Sequence, residues 1–313
     1  MTNKPFDYLF TTTFKIKSEV VDYLKNFQVD IAKNLVEGSL QLDDTSYLTE
    51  KMKSLFSDVT YDGLWKPDPK NSGEPIPIKI TLLFEHKSYS YKWLSIQLLR
   101  YILEIWDRQI SQKEDLTIVL PIVVYHGEDK FSYRPIPSLF KNVDEKLMRF
   151  IPNFDFLVTD LEQFSEETLL KMQLGFLLST FLVFKHKRGW DFVIEHADWL
   201  FSYEKKEYDN FLIDRFTKAF FAYIWVVNKV EEEAWEDLKQ KLPSNLKDKA
   251  MNFYDFIVQK GEKRGEKRAK LEKDKIFVTR LLKKFPEWSD EEIASLVLVK
   301  VNFVKEIRES LNN

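Results

Sequence analysis

Three charged side chains in two separate segments have types and spacing that suit phosphate chemistry. Asp58 lies within residues 56–61, and Glu85 and Lys87 follow later in a Glu-x-Lys pattern. Two carboxylates can hold Mg²⁺ through hard oxygen ligands, and an ammonium group can orient a water molecule or stabilise phosphate oxygens. We therefore expect Asp58 and Glu85 to bind Mg²⁺, or Mn²⁺ in its place, with Lys87 as the catalytic cation. The backbone carbonyl of His86 is a candidate third ligand of the metal.

Two predicted strands must position these side chains. Residues 56–64 are rich in aromatic and β-branched types, and residues 78–86 alternate between apolar and polar types. Glu85 and Lys87 are two residues apart and share a face of their strand, so Asp58 approaches Glu85 if the strands pair. Glu-x-Lys alone is common on solvated strand edges, so a purely structural role is the competing interpretation.

The segment that follows the second strand predicts a helix over residues 92–109 with an apolar stripe. Gln97 and Tyr101 are four residues apart and lie on one face of this helix. Gln97 is therefore a candidate accessory catalytic residue that holds the attacking water or contacts the substrate backbone. Tyr101 also belongs to the apolar stripe, and a place in the core is the commoner role for such a residue.

The order of the other predicted elements gives the fold class. They are a helix, a turn and two strands, at residues 8–35, 67–77, 117–125 and 154–158. Beyond Ser165, which has the character of a helix N-cap, the signal is helical. We predict an α/β protein with a mixed sheet flanked by helices, followed by an all-α C-terminal half.

Four parts are expected along the chain. They are a mixed-sheet domain, a helical domain, a charged helical linker and a small helical pair, at residues 1–165, 166–258, 259–275 and 276–313. The linker contains a Gly-Glu-Lys-Arg tetrad twice in succession, at 261–264 and 265–268. Its cations could follow phosphates, but a solvated linker of mixed charge is the favoured interpretation.

Composition excludes several classes of protein. The 313 residues include no cysteine and eight glycines, which excludes disulfides, cysteine-based zinc sites and a glycine-rich phosphate loop. The formal net charge is −3, so contact with nucleic acid must use a local basic patch. The longest apolar run, at residues 174–184, is too short to cross a bilayer. We expect a cytoplasmic protein with no membrane segment.

Five motifs occur in an order that resembles a known family. They are Phe-Asp-Tyr-Leu-Phe, Ser-Asp-Val-Thr-Tyr, Leu-Phe-Glu-His-Lys-Ser, Gln-Leu-Leu-Arg-Tyr and Leu-Pro-Ile-Val-Val-Tyr-His-Gly, at residues 6–10, 57–61, 83–88, 97–101 and 120–127. Together they resemble the recombination-promoting nuclease (Rpn) or putative transposase family, also called YhgA-like, of the PD-(D/E)XK superfamily. The similarity covers roughly the first half of the chain.

The resemblance implies a restriction-endonuclease-like core in residues 1–165 and a Mg²⁺-dependent DNA endonuclease that promotes recombination. It also implies a catalytic trio of Asp58, Glu85 and Lys87, with Gln97 as an accessory residue. The family's opening His is Phe6 in this chain. The first helix often carries a further acid in this superfamily, and its candidates here are Asp7 and Glu19.

Two other hypotheses follow from the sequence. The chain could be a catalytically weak or inactive nuclease fold that binds DNA or a partner protein. The aromatic helical half could also be the surface of a homo-oligomer.

Overall fold

The computed structural model describes residues 5–49, 53, 56–67, 70, 73–85, 93–127, 131–172, 175–186, 189–201, 203 and 207–312. Only the backbone is described at residues 85, 256, 260–270 and 312.

A mixed sheet forms the centre of the first half. Within the described residues it has five strands in the order β1 to β5, at Gln41–Asp43, Phe56–Trp65, Ile76–Glu85, Ile118–Tyr125 and Leu157–Asp160. Strands β1, β2 and β3 pair antiparallel with one another in that order, and β4 runs parallel to both β3 and β5. The predicted mixed sheet is therefore confirmed. Strand β1 was not expected, and β5 begins three residues later than predicted because Phe154 and Phe156 belong to the segment that leads into it.

The predicted helix over residues 8–35 is three helices. They are α1, α2 and α3, at Pro5–Phe14, Lys17–Phe27 and Val29–Asn34. The backbone is extended at Ile16 (φ −90°, ψ 111°) and leaves helical geometry at Gln28 (φ −133°, ψ 55°). Neither break coincides with a glycine or proline, so no local stop signal marks these positions. The helix after β3 is α4, Leu94–Gln112.

Helices cover both faces of the sheet. On one face α4 packs Leu98 and Tyr101 against Phe56 of β2 and Leu83 of β3. On the other face the ring of Phe10 lies 4.9 Å from that of Phe84. Helices cover the centre of the sheet on both faces and exclude solvent from it. Polar side chains there therefore need hydrogen-bond partners.

The C-terminal half is helical, as predicted. Up to residue 241 the helices are α5 to α10, at Glu166–Lys171, Phe176–Lys185, Trp190–Glu195, Ala197–Leu200, Asn210–Asn228 and Glu232–Lys241. Ser165 caps α5 by accepting a hydrogen bond from the Thr168 amide at 3.1 Å. Helices α6 and α9 contact α1, so this half packs directly on the sheet domain. In the described part of the chain, no helix has the length and apolar character needed to cross a membrane.

Contacts divide the chain into two units, residues 1–249 and 250–313. Helix α11, Ser244–Lys284, runs from the first unit into the second and includes the predicted charged linker. The second unit also contains α12, Asp290–Val297, and α13, Val301–Asn312. Its core consists of Val278, Leu282, Ile293, Ala294, Val304 and Ile307. The finer boundaries at 165, 258 and 275 stay predictions.

Candidate active site

Asp58 lies on β2, on the face of the sheet that α4 covers, and its residue is only 9% exposed. Its carboxylate accepts three hydrogen bonds from the described part of the chain. The Ser46 hydroxyl donates to Oδ1 at 2.8 Å, the Tyr47 amide donates to Oδ2 at 3.0 Å, and the Tyr101 hydroxyl donates to Oδ2 at 2.9 Å. These donors come from the segment after β1 and from α4, so the carboxylate is fixed from two sides.

Tyr101 joins the carboxylate to a row of hydroxyl groups. Its hydroxyl lies 3.2 Å from Thr60 Oγ1, which lies 3.2 Å from Thr81 Oγ1 on the neighbouring strand. Burial, and then the negative charge of Asp58, raises the pKa of Tyr101 well above its ordinary value. The phenol therefore stays protonated and remains a donor to Asp58.

The strand register brings position 85 near Asp58. Glu85 pairs with Phe56 across β2 and β3, and Phe56 is two residues from Asp58 on the same strand. The side chain of Glu85, and all of His86 and Lys87, lie outside the described residues. Convergence of the trio therefore stays a prediction. Among the described side chains, no group of three or more His, Cys, Asp or Glu residues could hold a metal ion.

Gln97 lies near the start of α4, one helical turn before Tyr101, and is 4% exposed. Its Oε1 atom is buried and has no hydrogen-bond partner within the described part of the chain. A buried amide oxygen without a partner is costly and is uncommon in folded proteins. At this position Oε1 could accept a hydrogen bond from a water molecule or a substrate group.

The two candidate acids of the first helices have different surroundings. Glu19, on α2, is fully buried: its Oε2 accepts from the Leu177 amide at 2.7 Å, and its Oε1 accepts from the Tyr208 hydroxyl. Glu19 therefore holds the start of α6. Asp7 lies in the first turn of α1 and is half-buried. Neither residue belongs to an acidic or histidine cluster among the described side chains.

A second polar group on the same face was missed by sequence reasoning. Lys79 Nζ lies 2.9 Å from Asp43 Oδ2 and 2.7 Å from Asp62 Oδ1, and the Tyr47 hydroxyl donates to Asp43 Oδ2 at 2.6 Å. Lys79 is on the polar side of the alternating strand. Its residue is only 6% exposed because α4 and the segment after β1 cover that side. The sequence feature that could have pointed to this group is a lysine on a strand whose polar face is buried.

The protonation states in this group are fixed around neutral pH. Burial alone would raise the pKa of Asp43, but hydrogen bonds from Tyr47 and Lys79 bring it below its usual range. Burial alone would lower the pKa of Lys79, but hydrogen bonds and charge from Asp62 and Asp43 raise it. Burial and the bond to Asp43 raise the pKa of Tyr47 to about 12. Asp43 is thus anionic, Lys79 cationic and Tyr47 neutral.

Comparison with protein families gives one match, to the family described as "Putative transposase, YhgA-like", over residues 4–210. That range is more than half of the 313 residues. The chain belongs to this family. The match includes Asp58, position 85 and Gln97, together with helices α1 to α8, so the family region extends past the sheet into the helical half.

Among curated proteins, the chain is similar to the "Recombination-promoting nuclease RpnD" of Escherichia coli O157:H7. The two are 26% identical over 200 residues, which is 61% of this chain and 70% of the relative. No solved structure matches the chain.

Proposed function

We propose that this chain is a metal-dependent DNA endonuclease of the PD-(D/E)XK type, which hydrolyses phosphodiester bonds. Membership of the transposase-like family and the relative's name as a recombination-promoting nuclease support this proposal. The observation that carries it is the fixed carboxylate of Asp58, two strand positions from the residue that pairs with Glu85. The chain order of helix, three antiparallel strands, helix and parallel strand is consistent with a restriction-endonuclease-like core.

The hydrogen bonds of Asp58 leave room for a cation. A carboxylate offers about four acceptor positions, two on each oxygen. From the described residues Oδ2 accepts two hydrogen bonds and Oδ1 accepts one, and we take the second acceptor position of Oδ1 as the one for a hard metal ion. We assign Mg²⁺, or Mn²⁺, to Asp58 Oδ1, the Glu85 carboxylate and the His86 carbonyl. Bound there, the metal would lower the pKa of a water molecule and neutralise charge on the phosphate.

The remaining roles belong to two side chains. Lys87 would stabilise the phosphate oxygens or orient the attacking water, because its ammonium group can donate up to three hydrogen bonds. The buried Oε1 of Gln97 would accept a hydrogen bond from that water and so fix its direction. The partner is DNA, which must meet a local basic surface because the whole chain carries a net charge of −3.

Replacement of Asp58 tests this function. Asp58→Ala should abolish Mg²⁺-dependent cutting of plasmid DNA. The cleavage rate should fall by at least about 100-fold, which is the loss that can follow when a residue behind a metal ligand is changed. Asp44→Ala is the matched control, because the side chain of Asp44 is 74% exposed and forms an ion pair with Lys15. Unchanged cutting by Asp58→Ala, with Asp44→Ala also active, would refute the assignment.

A non-catalytic function is the second candidate. Three protein donors on one carboxylate also suit a residue whose task is to anchor the segment after β1. In that case the fold would bind DNA or a protein without cutting. Purified protein would then show salt-dependent binding to DNA and no Mg²⁺-dependent cleavage, in the unmodified chain as well as in the variant.

A further inference from the structure

We infer that Tyr47, Asp43 and Lys79 form a positioning chain that holds the carboxylate of Asp58 in place for metal binding. This inference rests on the proposed function of Asp58 as a metal ligand. None of the three residues touches the reacting atoms in this scheme; they act through the segment that contacts Asp58.

The first link is residues 46–47, in the segment after β1. Among the described residues, these two donate to Asp58 through the Ser46 hydroxyl and the Tyr47 amide. The direction of the open Oδ1 position therefore depends on where they lie. If they shifted, Asp58 would keep the Tyr101 hydroxyl as its described donor and its carboxylate could rotate.

The second link is the side chain of Tyr47, which fixes the segment to the sheet. Its hydroxyl donates to Asp43 Oδ2 at 2.6 Å. Its ring lies edge-on to the ring of Tyr101 with centroids 6.4 Å apart, and the guanidinium of Arg108 lies 5.5 Å from its centroid. The ring is therefore held by α4 as well as by β1, and it ties the donors of Asp58 to both.

The third link is the ion pair of Asp43 with Lys79. Lys79 projects from the central strand β3 and has a side chain that is 8% exposed, while the side chain of Asp43 is 13% exposed. Asp62 Oδ1 is a second partner of the same ammonium group, at 2.7 Å. An ammonium held by two carboxylates is a poor candidate for contact with phosphate. It is well placed to anchor Asp43, and through it Tyr47, to the central strand of the sheet.

The test compares metal binding in single-residue variants of the full chain. Tyr47→Phe removes one oxygen and keeps the ring and the amide that contacts Asp58. We expect Mn²⁺ to bind about tenfold more weakly than to the unmodified chain, as happens when a residue behind a metal ligand is changed. Electron paramagnetic resonance of the free Mn²⁺ ion measures this binding. The Mg²⁺ concentration for half-maximal cleavage should rise by a similar factor. The rate at saturating Mg²⁺ should fall by much less, because the reacting groups are unchanged.

Asp43→Asn and Asp44→Asn form a matched pair of adjacent residues with the same chemical change. Asp43→Asn should weaken Mn²⁺ binding as Tyr47→Phe does, whereas Asp44→Asn, on the surface, should leave it unchanged. If Asp43→Asn does not fold, Tyr47→Phe alone decides. Native Mn²⁺ affinity in Tyr47→Phe, when Asp58→Ala has lost that affinity, overturns the positioning chain. Native Mn²⁺ affinity in Asp58→Ala overturns the proposed function instead.

Discussion

The two oxygens of Asp58 have different tasks in the proposed site. Among the described residues, Oδ2 accepts from the Tyr47 amide and the Tyr101 hydroxyl, whereas Oδ1 accepts from the Ser46 hydroxyl. A carboxylate fixed through one oxygen can present the other to a cation with little loss of conformational freedom. The arrangement therefore pre-organises a single-oxygen ligand before any metal arrives.

Tyr101→Phe should separate this positioning role from packing. The change removes the donor to Asp58 Oδ2 and keeps the ring that fills the core beside α4. We expect the free energy of unfolding to fall by about 1–2 kcal/mol, because a buried carboxylate loses one hydrogen bond. Urea denaturation measures this change, and Mn²⁺ titration of the same variant should show weaker binding. An unaltered unfolding midpoint would contradict the importance of this hydrogen bond.

Asp43 should make stability depend on pH in the acid range. Its pKa in the folded chain lies below the ordinary value of 3.8, so its ion pair stabilises the fold above that value. The contribution is lost as pH falls from 3.8 through the lower folded pKa. The stability difference between the unmodified chain and Asp43→Asn should therefore be full at neutral pH and shrink below 3.8. Thermal unfolding over this range measures it; a difference that grows on acidification would have the wrong sign.

Single residues were predictable from the sequence where they lie in regular elements. The strand face of Asp58 and the helix face of Gln97 were predictable from strand and helix periodicity. Ser46 and Tyr47 were not identified, since they lie in an irregular segment whose path depends on the folded sheet. Lys79 was not singled out, because alternation along a strand distinguishes its two faces but does not say which face a later helix covers.

At the scale of elements, the sheet owes its mixed character to the connections. Strands β2 and β3 are adjacent in sequence and antiparallel, whereas α4 carries the chain back so that β4 runs parallel to β3. The alternation over residues 78–86 and the helical stripe after it were sufficient to predict this part of the order. The breaks at Ile16 and Gln28 were not predictable, because the tertiary contacts of α1 and α2 override a continuous helical pattern there.

The cap of α12 provides a test at this scale. Ser289 Oγ accepts from the Glu292 amide at 3.2 Å, and the Glu292 carboxylate accepts from the Ser289 amide at 2.8 Å. Ser289→Ala should destabilise the helix locally by about 1 kcal/mol. Faster amide hydrogen exchange in the first turn of α12, measured in the full chain, would show the loss. Equal exchange in the two proteins would mean that the cap contributes nothing.

The same cap should weaken in acid. Hydrogen bonds from the backbone and side chain of Ser289 lower the pKa of Glu292 below its ordinary value of 4.5. The stabilisation by Glu292 is therefore present above 4.5 and is lost as pH falls through the folded pKa. Nuclear magnetic resonance titration of the Glu292 side chain measures the shift directly, and Ser289→Ala should move the pKa back towards 4.5.

At the scale of the whole molecule, charge limits how the protein can meet DNA. The net charge is −3, and the excess of cations in the sequence is local, within the repeated tetrads of α11. The amino-acid composition alone gives the net charge and excludes cysteine chemistry. It could not predict that the chain divides near residue 249, because α11 is continuous across that point.

Replacement of Lys263, Arg264, Lys267 and Arg268 by glutamine tests the role of the tetrads. We favour a solvated helix of mixed charge, so DNA affinity should change by less than about threefold. The dependence of binding on salt concentration, measured by fluorescence anisotropy, should also keep its slope. If these four cations contacted phosphates, the slope of log affinity against log salt would instead fall by about 3–4 for duplex DNA.

The outer strands of the sheet have a consequence for self-association. In the described residues β1 has three residues and β5 has four, so each edge of the sheet offers few backbone amide and carbonyl groups to a further strand. Pairing of edge strands between two copies of the chain is therefore disfavoured, and so are continuous fibrils built on this sheet. A dimer that used helices instead would leave the described strands of the sheet as they are in the single chain.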